Sequence, residues 1–287
     1  MPELPEVETV RRGLEPAMLD KRITKITLNR PDLRVPITPG FEDKLEGATL
    51  TQLIRRGKYI IALADNDYGF VLHLGMSGRV AIHADKNDYT PAKHDHVLFH
   101  IEDGGLIVLN DPRRFGMLYL VEAQNWDKEP PFSEMGPEPL SNHFSADALY
   151  ERLHKKGTPI KNALLDQKVV SGVGNIYACE ALFDSHIHPE TQSFALQHDD
   201  IERLVPAIRD VLIRAINSGG SSLRDYKQTD GSLGYFQHSF SVYDREGAPC
   251  PNCDESKNCV VERIVQSNRS TFFCPACQKK KRIQKKR

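Results

Sequence analysis

Pro2 and Glu3, the two residues that follow the initiator methionine, are of types that could carry out covalent chemistry. Proline is small enough for Met1 to be removed in a typical cell, and removal leaves a free secondary amine at residue 2. An α-amino group has a pKa of about 7.7–8.0, so an appreciable fraction is unprotonated at neutral pH. Such an amine can attack an electrophilic carbon and form a Schiff base, with the Glu3 carboxylate moving the proton. Many chains begin Met-Pro without any such consequence, so this pattern alone leaves both interpretations open.

Four cysteines form two Cys-x-x-Cys pairs, Cys250 with Cys253 and Cys274 with Cys277, separated by 20 residues. Two such pairs can place four thiolates in a tetrahedron, which suits one structural Zn²⁺ ion and leaves no coordination position open for catalysis. Two disulfides or a redox dithiol are the alternative, but no secretory signal is recognisable and a reducing cytosol disfavours disulfides. We therefore expect a zinc site, with Cys259, which lies between the pairs, as a bystander.

The charge of the chain is unevenly distributed. From Cys250 to the C-terminus there are 10 Lys or Arg and 3 Asp or Glu residues, a net charge of +7, whereas the whole chain has a formal net charge of −1. A basic segment around a zinc site points to a polyanionic partner. The last ten residues hold seven basic side chains, and we expect this tail to be disordered and to add salt-dependent affinity for nucleic acid. The chain lacks the apolar run of about 18 residues that a transmembrane helix needs, so no membrane partner is expected.

A helix at the N-terminus would anchor the amine beside a hydrophobic core. Pro5 fits the first turn of a helix, where its missing N–H costs nothing. Apolar residues at helical spacing from Val7 to Leu14 share one face, and Arg11 and Arg12 are predicted to point outward. Pro16 is expected to limit the length of this helix.

Short apolar runs separated by turns extend from Arg22 to about Val121, a pattern typical of an antiparallel sandwich or barrel. The predicted strands contain residues 23–28, 50–54, 59–63, 70–74, 97–101, 106–109 and 117–120.

A cluster of prolines and glycines in residues 124–139 marks a linker. Beyond it, helical patterns cover residues 146–155, 159–167, 175–185 and 199–218, and Gly219-Gly220 ends the last of them. A glycine-containing turn joins the second and third of these, which predicts a helix-turn-helix-like unit. Short strands around the cysteine pairs predict a metal-bound hairpin after Ser239.

Several segments in a fixed order resemble bacterial formamidopyrimidine-DNA glycosylase. They are PELPEVET (2–9), RGKY (56–59), HLGMSG (73–78), KHDH (93–96), DPRRFG (111–116), GPEPL (136–140), GVGNIYA (172–178) and the four-cysteine ending. The resemblance extends from residue 2 to about Gln278. It implies a base-excision repair enzyme that removes oxidised purines, such as 8-oxoguanine and formamidopyrimidines, from double-stranded DNA. It also implies an AP lyase that nicks the abasic site by β,δ-elimination.

The resemblance implies an α+β fold, in agreement with the pattern of elements. Its parts are an N-terminal antiparallel β-sandwich with an N-terminal helix, a helix–two-turn–helix domain and a C-terminal zinc-finger β-hairpin. The expected boundaries are 2–123 for the catalytic sandwich domain, 124–138 for the linker, 139–236 for the helix–two-turn–helix DNA-binding domain, 237–278 for the zinc finger and 279–287 for the basic disordered tail.

Four residues match catalytic positions of the family. As the resemblance implies, the Pro2 nitrogen attacks C1′ of the sugar and Glu3 protonates the opening sugar or the leaving group. Lys58 would contact a DNA phosphate and assist elimination, and Arg269 would grip the phosphates that flank the lesion. Glu6 is a possible sugar contact, although a carboxylate in the first turn of a helix is favoured by the helix dipole alone.

The expected DNA contacts are His94, Arg113, Lys156 and Asn175. Lys155 is an easy alternative to Lys156, because a slip of one residue in the alignment exchanges them. Asn175 could serve instead as the N-cap of the helix that follows it.

Removal of a base from the stack leaves a hole that the protein must fill. Met76, Arg113 and Phe115 match the family's void-filling residues. Core packing is the alternative for Met76 and Phe115.

Two other functions stay open. A sister enzyme for oxidised pyrimidines would share the amine chemistry, although its opening usually carries glycine where this chain has Leu4. A zinc-ribbon DNA-binding protein without catalysis would explain the cysteines and the basic end, but not Pro2-Glu3. The spacer between the cysteine pairs is longer than is usual in the family. The resemblance further implies a monomer in the bacterial cytoplasm, associated with the nucleoid.

Overall fold

Two four-stranded antiparallel β-sheets form the first part of the fold in this computed structural model. The first sheet has the strand order β1 (Ile23–Leu28), β6 (Asp95–Ile101), β7 (Leu106–Asn110), β5 (Arg79–His83). The second has the order β2 (Leu50–Arg56), β3 (Tyr59–Ala64), β4 (Tyr68–His73), β8 (Met117–Glu122). Buried side chains of both sheets share one core, for example Ile26 and Ile107 from the first and Ile60 and Phe70 from the second. The predicted antiparallel sandwich is therefore confirmed.

Two elements of this part were not predicted. Strand β5 lies at a sheet edge, and only Val80 of its five residues is buried, so its sequence lacks the apolar run that marks the other strands. Helix α2 (Phe41–Leu45) is only five residues long and buries Phe41 and Leu45 in the core. Both are too short or too exposed for hydrophobic periodicity to reveal them.

Helix α1 (Leu4–Met18) packs its apolar face into the same core through Val7, Val10 and Leu14. Burial of each such side chain is worth about 1.5–3 kcal/mol, so the helix is firmly seated. The helix includes Pro16 and ends soon after it, at Met18. The expectation that Arg11 points outward is wrong, because its side chain is only 16% exposed and pairs with Glu8 at 3.1 Å. The side chain of Arg12, 55% exposed, points outward as predicted.

Helices dominate the second part of the chain. They are α3 (Ala146–His154), α4 (Ile160–Leu165), α5 (Asn175–Asp184) and α6 (His198–Asn217). All four agree with the predicted helices to within two residues at each end. Gly219 and Gly220 have positive φ values of 72° and 81°, and the Gly220 N–H donates to Ala215 O at 2.8 Å, which confirms the predicted C-terminal stop of α6.

An antiparallel hairpin of β9 (Glu262–Gln266) and β10 (Arg269–Phe273) lies between the two cysteine pairs in the chain. The preceding segment is held by the carboxylate of Glu180 in α5, which is 1% exposed. This carboxylate accepts hydrogen bonds from the backbone N–H groups of Ser241, Val242 and Tyr243 at 2.8, 3.0 and 2.8 Å. Burial raises the pKa of Glu180, and these three hydrogen bonds oppose the rise.

By internal contacts the chain divides into two units, Met1–Ser133 with Ala215–Gln237, and Glu134–Arg214 with His238–Arg287. The structure describes residues 2–222, 227–254 and 258–280. Most of the predicted basic tail, residues 281–287, lies outside these ranges, and the five-part division of the chain stays a prediction. Within the described ranges, no helix combines the length and apolar character needed to cross a membrane.

Replacement of Glu180 by alanine is expected to destabilise the second unit by about 3 kcal/mol or more, because three N–H groups lose their acceptor and each costs about 1–3 kcal/mol when left unpaired. Urea unfolding followed by circular dichroism measures this loss. Glu180→Gln keeps one carbonyl oxygen and should lose less. The exposed Glu202→Ala is the control, and a Glu180→Ala midpoint equal to that of the control would contradict the assignment.

Candidate functional site

Pro2 and Glu3 are both buried at the start of α1, where Glu3 is 3% exposed. The buried Glu6 carboxylate fixes this turn, because its Oε2 accepts a hydrogen bond from the Glu3 N–H at 2.8 Å. Its Oε1 accepts from the Ser221 N–H, also at 2.8 Å. Glu6 therefore ties the N-terminal turn to the start of the 221–235 loop, of which residues 223–226 lie outside the described ranges.

Lys58 lies in the two-residue turn between β2 and β3 and is 8% exposed. It is therefore not an ordinary solvent-exposed loop lysine. The strand leading into the turn is tied to α1 by an ion pair between Arg55 Nε and Glu8 Oε2 at 3.1 Å. Arg55 also donates to Gly57 O at 3.2 Å. These bonds connect the Lys58 turn with the helix that carries Pro2 and Glu3.

Burial and neighbouring cations shift the pKa values of His73 and Glu8 in this part of the fold. Burial, with the positive charges of Lys58 and Arg34, lowers the pKa of His73 to about 4, so His73 is neutral at physiological pH. Its Nδ1 accepts from the Gly75 N–H at 3.2 Å, so the ring proton is assigned to Nε2. Burial raises the pKa of Glu8, but its bonds to Arg11 and Arg12 and the charge of Arg55 outweigh this and lower it overall. Glu8 therefore stays ionised and keeps its ion pair with Arg55 of β2.

Met76 and Phe115 are exposed by 38% and 42%, so neither packs in the core. The exposed Arg113 places its guanidinium carbon 4.8 Å from the centre of the Phe115 ring. Gly75, at φ 62°, allows the two loops to approach, since a Cβ there would lie 2.3 Å from the Phe115 carbonyl group. The three predicted void-filling residues therefore stand on neighbouring loops and face solvent.

Asp111, fully buried, joins these two loops. Its Oδ1 accepts from the Ser77 hydroxyl at 2.6 Å, and its Oδ2 accepts from the Gly116 N–H at 2.8 Å. The Ser77 oxygen in turn accepts from the Arg113 N–H at 3.1 Å. One buried carboxylate thus fixes the backbone on both sides of the exposed side chains.

His94 is half-buried and has a left-handed backbone, with φ 78°. Its carbonyl accepts from the Asp111 N–H at 3.1 Å. The next residue, Asp95, holds the loop through bonds from Tyr89 Oη at 2.9 Å and Asn110 Nδ2 at 2.7 Å. Asp111 therefore contacts the His94 loop through its backbone N–H and the two void-filling loops through its carboxylate.

In the second unit, Asn175 is the first residue of α5, and Gly174 is the N-cap. The interpretation of Asn175 as an N-cap is therefore wrong. Its Nδ2 donates instead to Ser270 O at 2.9 Å. Lys161, fully buried in α4, donates to the same oxygen at 3.2 Å and to Thr271 Oγ1 at 2.6 Å. Both side chains hold the start of β10, where the exposed Arg269 lies.

Lys156, just after α3, forms an ion pair with Asp166 at 2.6 Å. Burial raises the pKa of Asp166, but the hydrogen bond from Lys156 and a backbone bond from Lys168 lower it overall. Both side chains are about one-third exposed, so a DNA phosphate could compete for this lysine.

The four paired cysteines meet in the second unit, with all Sγ atoms within 4.8 Å of one another. The separations are 3.6 Å between Cys250 and Cys277, 3.8 Å between Cys253 and Cys274, and 3.3 Å between Cys253 and Cys277. A tetrahedron with Zn–S bonds of about 2.3 Å has edges of about 3.8 Å, so these thiols fit one metal ion.

Three functional neighbours were missed from sequence. Asp111 is the first residue of the DPRRFG motif that also contains Arg113 and Phe115. Its position before a proline does not indicate that its carboxylate bonds to Ser77 and Gly116. Lys161 is a charged residue among the apolar residues of α4, which is the one signal that could have revealed it. Glu8 is followed at helical spacing by Arg11 and Arg12, so its sequence resembles an ordinary charged helix face. The first unit thus carries the predicted residues Pro2, Glu3, Glu6, Lys58, Met76, His94, Arg113 and Phe115. The second carries Lys156, Asn175, Arg269 and the four paired cysteines.

Comparisons with known proteins agree with this arrangement. The family model described as "Formamidopyrimidine-DNA glycosylase N-terminal domain" matches residues 1–118, and the one described as "Formamidopyrimidine-DNA glycosylase H2TH domain" matches residues 135–227. A formamidopyrimidine-DNA glycosylase of Dinoroseobacter shibae is 51% identical over 288 residues, covering 97% of this chain and 100% of that protein.

Solved structures show the same fold. A Lactococcus lactis FPG mutant in complex with DNA containing Fapy-dG is 35% identical, with a TM-score of 0.88 over 97% of this chain and 100% of that chain. MutM in complex with DNA containing carbocyclic 8-oxo-G is 35% identical, with a TM-score of 0.87 over the same shares. The family models cover most of the chain and the bacterial relative matches nearly all of it, and the chain therefore belongs to the formamidopyrimidine-DNA glycosylase family.

Proposed function

We propose that this protein excises oxidised purines, including 8-oxoguanine and formamidopyrimidines, from double-stranded DNA and then cleaves the abasic site. Structural relatives bound to DNA containing Fapy-dG and an 8-oxo-G analogue support the substrate class. The observation that carries the proposal is the buried Pro2-Glu3 pair at the start of α1, tied through Glu8 and Arg55 to the Lys58 turn. A DNA-binding protein without catalysis would not need a buried amine and carboxylate there.

The reaction begins when the damaged nucleotide is turned out of the duplex, because its sugar cannot be reached inside the stack. The Pro2 nitrogen, after loss of Met1, attacks C1′, the bond from C1′ to the base breaks, and Glu3 supplies a proton to the opening sugar or the leaving base. Proline is a secondary amine, so the product is a permanently charged iminium. This charge acidifies the C2′ hydrogens, so β-elimination breaks the bond to the 3′ phosphate, and δ-elimination then releases the 5′ side.

Lys58 supplies a positive charge for a DNA phosphate near the sugar and assists elimination. Arg269 grips phosphates beside the lesion, and Asn175 and Lys161 hold the β10 strand that presents it. His94 and Lys156 add contacts to the DNA backbone. Such contacts set the position of the DNA and carry no base sequence information, as suits a repair enzyme that must act in any sequence.

Met76, Arg113 and Phe115 fill the space that the extruded nucleotide leaves. Their exposure and the anchoring of both loops by Asp111 support this role. An apolar side chain stacks without a pairing partner, and the Arg113 guanidinium has donors for the orphaned cytosine.

The four thiols would hold one Zn²⁺ ion, which in a closed tetrahedral site stabilises the fold and takes no part in the reaction. The hairpin between the cysteine pairs carries Arg269, so this site would serve DNA binding indirectly. The DNA substrate and the bacterial relatives support a location in the cytoplasm, at the nucleoid.

Borohydride trapping on an 8-oxoguanine duplex tests the nucleophile. Pro2→Gly is expected to lower the yield of covalent adduct at least about tenfold, since glycine is conformationally free and its imine can lose its charge. Pro16→Ala, a proline change in the same helix, should trap like the unaltered protein. Undiminished trapping by Pro2→Gly would contradict a requirement for the secondary amine of proline. Faster excision of thymine glycol than of 8-oxoguanine would favour an oxidised-pyrimidine substrate instead.

Phe115→Ala is expected to lower the excision rate on duplex 8-oxoguanine by about tenfold or more, because unstacking a base step costs a few kcal/mol that the wedge offsets. Single-turnover kinetics measures this rate. The midpoint of thermal unfolding should hardly change, since the side chain is exposed. Phe194, exposed by 41% in the second unit, is a matched control, and equal effects of Phe194→Ala and Phe115→Ala on excision would contradict the wedge.

A further inference from the structure

The segment between β5 and β6, residues 84–94, packs on the face of the first sheet that does not line the sandwich core. The half-buried Tyr89 lies there against a small buried cluster formed by Leu98, Leu106 and Val108. Its ring also meets the His83 ring edge-on, with 5.4 Å between the ring centres. The segment leads directly into His94, a proposed DNA contact, so whatever holds Tyr89 also bears on His94.

The Tyr89 hydroxyl donates a hydrogen bond to the buried carboxylate of Asp95, with 2.9 Å between Oη and Oδ2. The Ala92 N–H donates to the same oxygen at 2.8 Å. Burial, this hydrogen bond and the charge of Asp95 raise the pKa of Tyr89 to about 12, so the hydroxyl keeps its proton and stays a donor at physiological pH. Two donors from the segment therefore meet on one carboxylate oxygen.

The other oxygen of Asp95 connects the same turn to the end of β7. Its Oδ1 accepts from Asn110 Nδ2 at 2.7 Å, and this amide nitrogen also donates to Lys93 O at 3.1 Å. The backbone at His94, with φ 78°, is in a conformation that residues other than glycine keep only where their surroundings fix it. The residues on both sides of His94 are fixed by Asp95 and Asn110, and Tyr89 ties the preceding segment to them.

We propose that Tyr89 is a positioning residue, which holds the left-handed turn at His94 in the conformation that meets DNA. This inference rests on the proposed function. Without the Tyr89 hydroxyl, the segment loses a bond to Asp95 and the turn at His94 populates other backbone conformations. DNA then binds only the competent fraction of the protein, so the apparent Kd rises by the inverse of that fraction. Because Tyr89 acts through His94, the excision step itself keeps its rate.

Tyr89→Phe removes the hydroxyl and keeps the ring that packs on the sheet. Its Kd for a duplex with a tetrahydrofuran abasic analogue, measured by fluorescence anisotropy, is expected to rise about two- to tenfold, the range for loss of one hydrogen bond. The single-turnover rate on 8-oxoguanine DNA at saturating protein should not change. Tyr150→Phe is the matched control, because Tyr150 is also half-buried and its hydroxyl forms no hydrogen bond within the described residues. It should leave both quantities unchanged.

A double-mutant cycle tests whether Tyr89 acts through His94. In a His94→Ala background, Tyr89→Phe should change Kd by less than about 1.5-fold, because the side chain that it positions is gone. An undiminished effect in that background would overturn the proposal. The same Kd for Tyr89→Phe and Tyr150→Phe would also overturn it.

Amide hydrogen exchange tests the turn without DNA. The Asp111 N–H donates to His94 O, whereas the Gly116 N–H donates to the Asp111 carboxylate. Tyr89→Phe is expected to speed exchange at the Asp111 amide and to leave that of Gly116 unchanged. Equal exchange at Asp111 in the variant and the unaltered protein would overturn the proposal. Absence of excision by the unaltered protein would instead overturn the proposed function, since neither exchange nor binding to the inert duplex requires excision.

Discussion

The pair of hydrogen bonds accepted by the buried Glu6 carboxylate is the constraint on which the site depends. One bond fixes the backbone at Glu3 and the other fixes Ser221, each at 2.8 Å. A nucleophile at a chain end would otherwise fray, since terminal residues have few contacts to restrain them. Here the apolar face of α1 is seated in the sandwich core, so the amine is held by the fold rather than by substrate. The rate advantage of a positioned nucleophile comes from this loss of freedom before the reaction.

The same construction recurs at the other candidate contacts. Buried charged groups with backbone partners hold short segments, and these segments present exposed side chains. Asp111 holds the Met76 and Phe115 loops, and Lys161 holds the start of β10 beside Arg269. A buried charge is costly unless it is well bonded, and each of these groups has at least two partners at 3.2 Å or less. The contact surface therefore rests on polar anchors inside the protein.

Much of this fold could be predicted from the sequence, because the strands and helices carry strong periodic patterns. The elements that escaped were β5, an edge strand with one buried side chain, and α2, which has only five residues. Pro16 was expected to limit the length of α1, and the helix ends soon after it, at Met18, whose side chain packs in the core.

Sequence motifs could name candidate site residues, but they could not predict how buried these residues are or which partners they bond to. Motif matches named Lys58 and Asn175, yet only the structure shows that Lys58 is buried and that Asn175 bonds to Ser270 rather than capping its helix. Long-range partners of this kind leave no trace in local spacing.

The most direct measurement of the central claim is to locate the bond between protein and sugar. The borohydride-reduced adduct with 8-oxoguanine DNA can be digested with protease and nuclease and its peptides fragmented in a mass spectrometer. The account predicts the added deoxyribose mass on the nitrogen of Pro2, in a peptide that lacks Met1. The same mass on the amine of Lys58, or on any other lysine, would contradict it.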